Sequence, residues 1–185
     1  MHALGTIILF LGNFRIILGM MNYEIEFERI EGIPGDEETL VENIVRLSRR
    51  GEDYFLNGRL TYHDDLGEDV LHTVTTTYSA DGSTLFRTHP YTVQKSSICE
   101  FFKTIYRQYG QPWIKGHTDF PDVPKEGRCP LPKGSWYIKD MSILNGTILP
   151  MHAPKGLWKM VQKIERNGKI IGGLTILARI SVKLV

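Results

Sequence analysis

Three sets of residues in this 185-residue chain carry side chains able to do chemistry: the run His63-Asp64-Asp65, the mid-strand His72, and the pair Cys99 and Cys129, the only cysteines present. An imidazole beside two carboxylates suggests acid/base work or metal ligation. Here it opens DDLGED, a polar stretch between two alternating runs, and polar turns are built from these residue types. A turn is therefore the preferred reading. His72 lies within LHTVTTTY, where β-branched residues favour a pleated surface, so it reads as a core or edge histidine. Cys99 next to Glu100 at a helix start would suit a lowered-pKa nucleophile, unless Cys129 has claimed its sulfur. The six histidines are dispersed without metal-ligand spacing. G-x-S-x-G, H-E-x-x-H, P-loop and G-x-G-x-x-G motifs are all missing. The sequence therefore names no catalytic residue, no metal ligand and no cofactor, and an enzyme is not expected.

Whether the cysteines pair depends on compartment, and the N-terminus bears on that. Residues 1–20, MHALGTIILFLGNFRIILGM, are apolar apart from His2, Asn13 and Arg15. Thr6 to Gly12 supplies the apolar stretch of a secretory signal and Gly19 a small residue for cleavage, although no basic residue precedes the run and Arg15 interrupts it. A misplaced start codon or a buried first strand of the mature protein are the alternatives. A membrane span would have to hold Arg15 and Asn13 at its middle. The preferred organisation is a signal peptide over 1–20 and one domain over 21–185, secreted and extracellular. In an intracellular protein both cysteines would be free buried thiols. After secretion they form a disulfide, Cys99–Cys129, whose loop of about 30 residues is worth roughly 3–4 kcal/mol by the chain-entropy relation. The sequon Asn145-Gly146-Thr147 sits in a turn-like LNGT and makes Asn145 the expected glycosylation site.

The rest of the chain supplies the scaffold. Hydrophobic residues make up 42% and charged residues 23%, which excludes wholesale disorder, and a net charge of +1 without a basic stripe excludes a nucleic-acid partner. Period-two alternation dominates. YEIEFE places Tyr23, Ile25 and Phe27 on one face. Tyr54, Leu56, Leu60 and Tyr62 share a face of the next run, and Val70, His72, Val74, Thr76 and Tyr78 share a face of the one after. With DDLGED between them, these two are expected to form a hairpin. Trp158, Met160 and Ile164 alternate with Lys159, Val161, Lys163 and Glu165, Asn167-Gly168 suits a type I′ turn, and Leu174, Ile176, Ala178, Ile180 and Val182 follow on one face. SSICEFFKTIYRQYG breaks the rhythm: Ile98, Phe101, Phe102, Ile105 and Tyr109 recur at helical spacing. Ser97 and Glu100 form a capping box and Gly110 a stop, so a helix is expected near 97–109. The Pro- and Gly-rich stretch QPWIKGHTDFPDVPKEGR then reads as a long ordered loop.

The fold expected is mainly β: a two-sheet antiparallel sandwich with one short helix. Its surplus of Phe, Tyr, Trp and Met fits either a filled core or two sheets splayed around an apolar ligand. CPLPKGSWYIKDMSILNGTILP, PKGLWKMVQKIERNGKIIGG, YFLNGRLTYHDDL and the SICEFF helix together resemble an insect family of secreted proteins labelled as a domain of unknown function. That family is related to the CheB-type chemosensory proteins and, remotely, to the ganglioside-activator and myeloid-differentiation lipid-recognition (ML) domains. The resemblance covers about residues 40–183. It implies a cup-shaped sandwich holding a lipid or a pheromone-like small molecule and a chemosensory role; a receptor protein is the further partner considered. A single cysteine pair departs from the activator-type pattern of several. On this reading Leu56, Leu60, Val70, Val74, Trp136, Met160, Ile164, Leu174 and Ile176 line the interior, and Phe101, Phe102 and Ile105 face it from the helix. The alternative is a secreted interaction module with a filled core.

Overall fold

The computed structural model describes residues 22–51, 53–80, 85–89, 92–142 and 154–183. Residues 1–20 and Asn145, the signal-peptide and glycosylation expectations, lie outside them. The chain is mainly β, as its alternation predicts. The strands are β1 (Asn22–Ile33), β2 (Val41–Arg50), β3 (Asp53–Tyr62), β4 (Val70–Ser79), β5 (Arg87–Thr88), β6 (Val93–Ser97), β7 (Gly134–Ser142), β8 (Gly156–Arg166) and β9 (Lys169–Lys183). They form one mixed sheet in the order β5-β4-β8-β9-β2-β3-β7, with β1 also on β9 and β6 also on β4, and the sheet is not closed into a barrel.

Two antiparallel layers make up this sheet. One is β1-β9-β8-β4 with β5 and β6 at its edge; the other is β2-β3-β7. They join through a single parallel pair, Val41 opposite Gly172. A Cβ on Gly172 would lie 2.0 Å from the Val41 carbonyl oxygen, so this close approach requires glycine. Beyond the junction the layers face each other. Phe27 and Ile30 of β1 pack on Tyr54 and Leu56 of β3, with the Phe27 and Tyr54 rings 5.7 Å apart edge to face.

The β8–β9 hairpin forms as its turn chemistry requires. Asn167 and Gly168 both take positive φ, 54° and 78°, the I′ signature, and Trp158 lies opposite Ala178, Met160 opposite Ile176. The expected pairing of 53–62 with 70–78 does not occur. Both edges of β3 are taken, by β2 and β7, while β4 pairs with β5, β6 and β8. The connection is held away from a tight turn by its apolar residue. Leu66 is fully buried and exchanges two 2.9 Å backbone hydrogen bonds with Leu131. The His63-Asp64-Asp65 run is a structural turn: Arg166 donates to Asp64 and to the Asp65 carbonyl, and its Nε lies 2.9 Å from Asp69. That guanidinium holds the Asp64 carboxyl below the usual carboxylate range.

The helix starts where expected, with the Ser97 hydroxyl accepting the Glu100 N–H at 3.1 Å. Its course differs. A first turn, α1 (Ile98–Phe101), opens into a π-helical stretch over Phe102–Gly110 and ends in α2 (Gln111–Ile114). Gly110 does not stop it, because its φ and ψ, −75° and −51°, remain helical. In the wider turns the Gln111 N–H bonds to the Tyr106 carbonyl five residues back. Side chains take carbonyls that an α-helix would give to backbone N–H groups: Thr104 Oγ1 donates to Glu100 O and Arg107 Nε to Lys103 O. Ile98, Phe102 and Tyr106 stay on the core side, and Ile105 and Tyr109 turn outward. No helix among the described residues is long and apolar enough to cross a membrane.

This helical segment crosses from the β4 edge to β7. At its start the Phe101 ring lies 3.9 Å from that of His72 on β4; at its end the Trp113 indole donates to Ser142 O on β7. The loop beyond it covers β7: Thr118 donates to Tyr137 O, Asp119 accepts from Tyr137 N and His117 O from Lys139 N. The predicted Cys99–Cys129 disulfide is present, with Cα atoms 5.5 Å apart. It ties the buried first turn of the helix to the end of that loop. Replacing both cysteines by alanine is expected to lower stability by about 3–4 kcal/mol, read as a reduced urea midpoint; a loss below about 1 kcal/mol would show that the bridge adds little to the packing beneath it.

Candidate ligand-binding face

The buried residues of the described chain group into three clusters, and the clusters leave a gap. The first lies under the helix: Val41, Tyr62, Leu66, Val70, Phe102, Phe120, Leu131 and Ile164, with Leu60, Phe101, Tyr106 and Trp136 packed on it. The second joins the layers through Tyr54, Leu56 and Met141. The third is Trp158 and Ile180, with Tyr78 stacked on Trp158 at 5.6 Å. Between them lie Val74, Met160, Gln162, Leu174 and Ile176, all half-buried and in none of the three.

Strand register shows that these five share the inner face. Val74 lies opposite Gln162, and Gln162 opposite Leu174; Thr76 lies opposite Met160, and Met160 opposite Ile176. Residues directly opposite point the same way. The rows on either side, His72–Ile164–Gly172 and Tyr78–Trp158–Ala178, are buried or packed into a cluster. Of the intervening residues on the other face, Lys159 and Lys163 are exposed and Val161 is half-buried. The half-buried patch is therefore about 10 Å across three strands and about 7 Å along them.

The expected lining residues thus divide. Val74, Met160, Leu174 and Ile176 form this patch. Leu56, Val70 and Ile164 are buried core, and Trp136 packs against the same core through Tyr62 and Phe120, with ring centroids 5.1 and 4.9 Å away. Leu60 and Phe102 line a cleft under the helix with Tyr106, Ile114, Thr118, Phe120 and Ile138. That cleft holds about 60 Å³, far below the roughly 300 Å³ at which small-molecule pockets begin, so the helix end of the interior is filled. Phe101 covers His72. Ile105 is 39% exposed, because the π-helical widening rotates it off the core-facing side, and its expected place facing the interior is corrected.

Sequence reasoning passed over Gln162, although a glutamine at an inward position of the Trp158–Met160–Ile164 alternation is a visible signal. Its Nε2 lies 3.0 Å from His72 Nε2. His72 is fully buried, and its Nδ1 has no hydrogen-bond partner among the described residues. Burial pushes the imidazole down to about 4, so it stays neutral at physiological pH. Glu68, Cys99 and Cys129 also bring ligand atoms within 4.8 Å of one another. With both sulfurs joined to each other, that group offers one carboxylate.

Fold and face together define a mainly β protein whose unclosed mixed sheet is packed at its helix end and carries a half-buried row at the centre of one wall. The family model described as "Protein of unknown function (DUF1091)" matches residues 74–160. That span takes in the helix, the disulfide, the covering loop, β7 and most of β4, and leaves β1 to β3 and β9 outside. No curated protein matches the chain.

His72 supplies a test of the buried wall. Its folded pKa lies below its unfolded value, so the unfolded chain binds the extra proton first as pH falls. Stability is fully present above about pH 6.5 and is lost progressively down to about pH 4, by about 3 kcal/mol for this group. Urea midpoints between pH 7 and 4 are expected to fall less steeply in His72→Leu than in wild type; equal slopes would place His72 in contact with water.

Proposed function

We propose that the chain binds an apolar small molecule or lipid on the inner face of β4, β8 and β9, over Val74, Met160, Leu174 and Ile176. The observation that carries this reading is the contiguity of those four side chains on an inward wall that stays half-buried while the rows beside it are covered. A filled core would seal such a row, since each fully buried aliphatic side chain contributes roughly 1.5–3 kcal/mol. The disulfide fits an oxidising compartment and so a secreted protein. The resemblance to CheB-type chemosensory and ML lipid-recognition proteins supports the same ligand class and, with it, a chemosensory carrier of a pheromone-like molecule.

The second reading, an interaction module docking on a partner protein, is favoured by exposed Ile105, Tyr109 and Tyr137. The two separate on one assay. N-phenylnaphthylamine fluorescence should report uptake by the protein made in an insect secretory host. Ile176→Glu, which sets a charge in the patch, should weaken uptake more than about ten-fold, and Ile105→Glu on the outer helix face should leave it unchanged. No uptake, or loss only in Ile105→Glu, favours the module.

A further inference from the structure

Two polar residues stand in the patch rows, Thr76, buried opposite Met160, and Gln162, half-buried between Val74 and Leu174, and the neighbours of Gln162 limit what its side chain can receive. Resting on the reading that this face binds a ligand, we propose that Gln162 is its polar contact and selects uncharged, oxygen-bearing apolar molecules over carboxylates. Long-chain alcohols, aldehydes, ketones and esters are the ligands meant.

A primary amide offers two N–H donors and an acceptor oxygen. One donor is committed, since Gln162 Nε2 lies 3.0 Å from His72 Nε2. The imidazole fixes the amide in turn: it is fully buried, with the Phe101 ring 3.9 Å from its own. Gln162 itself stands between Val74 and Leu174, its cross-strand neighbours, with its amide nitrogen turned toward His72 in the row beside the patch. A hydrocarbon laid on the patch takes water away from the rest of the amide, and an unmatched buried amide costs about 1–3 kcal/mol. A hydroxyl or carbonyl oxygen on the ligand matches it.

A carboxylate beside Gln162 fares worse because it would be desolvated far from a cation: Arg87, opposite Tyr78 on β5, is on this face but exposed at its edge, two rows and about 13 Å along the strand from Val74 and Gln162. Arg166 is the cation at the β4 end of this face, two residues past Ile164, and it is engaged by Asp64 and Asp69. Arg49 stands at the far end of β2 over the Tyr54 ring and donates to Gly51 O. Lys159 and Lys163 are on the opposite face of β8. His72 is neutral at physiological pH and supplies no charge.

Displacement of N-phenylnaphthylamine by decan-1-ol and by decanoate at pH 7.5 tests the proposal. Wild type should bind the alcohol at least about ten-fold more tightly, the scale of one matched hydrogen bond. Gln162→Met, which keeps the side chain's length, should weaken decan-1-ol binding about ten-fold and so narrow the ratio, the desolvation penalty on decanoate remaining. Decanoate binding as tightly as decanol in wild type, or a ratio unchanged in Gln162→Met, overturns this inference and leaves the binding face standing. If wild type takes up no probe, both fall. Should Gln162→Met fail to fold, the wild-type ratio alone decides.

Discussion

β7 ends the sheet path and β4 lies next to its other end, β5, and whatever spans the interval between them decides whether the interior is sealed or open. The helical segment 98–114 does so at one end, reaching from His72 on β4 to Ser142 on β7. Its π-helical middle sets Phe102 and Tyr106 against Phe120, and the disulfide holds its first turn to the loop that returns along β7. Packing under the helix is accordingly tight. Farther along the same wall the cover thins, and Val74, Met160, Leu174 and Ile176 remain half-buried. One constraint, a sheet bent at Val41–Gly172 but never closed, thus produces both the filled end and the accessible face.

The balance is physically reasonable. Eight methylenes laid on the patch are worth about 6 kcal/mol before association costs, too little for tight binding alone. A single well-placed hydrogen bond then has disproportionate influence over which molecules stay. That is the setting in which we propose that Gln162, held by a buried neutral histidine, decides between ligands of equal length.

Much of this was legible in the sequence, for reasons that differ by element. Alternation located β3, β4, β8 and β9 and their inward faces, because a half-buried wall imposes period two. Asn167-Gly168 fixed one hairpin through backbone sterics alone. The cysteine pair followed from count and compartment. Strand β2 escaped because exposed Ile44 interrupts the alternation of Val41, Val45 and Leu47. The false hairpin between β3 and β4 arose because a polar turn hid Leu66, whose burial against Leu131 depends on a segment 65 residues later. Ile105 was misplaced because α-helical spacing was assumed where the backbone bonds five residues back. Which inward residues stay uncovered depends on the second layer and the helix, and no single strand's pattern encodes that.

The most direct measurement is methyl NMR of protein labelled at Met, Ile, Leu and Val, titrated with N-phenylnaphthylamine. Binding on the proposed wall shifts the methyl resonances of Val74, Met160, Leu174 and Ile176 together and leaves those of Leu66 and Leu131 in place. Shifts confined to Leu60 and Ile138 under the helix, or none at all, would contradict it.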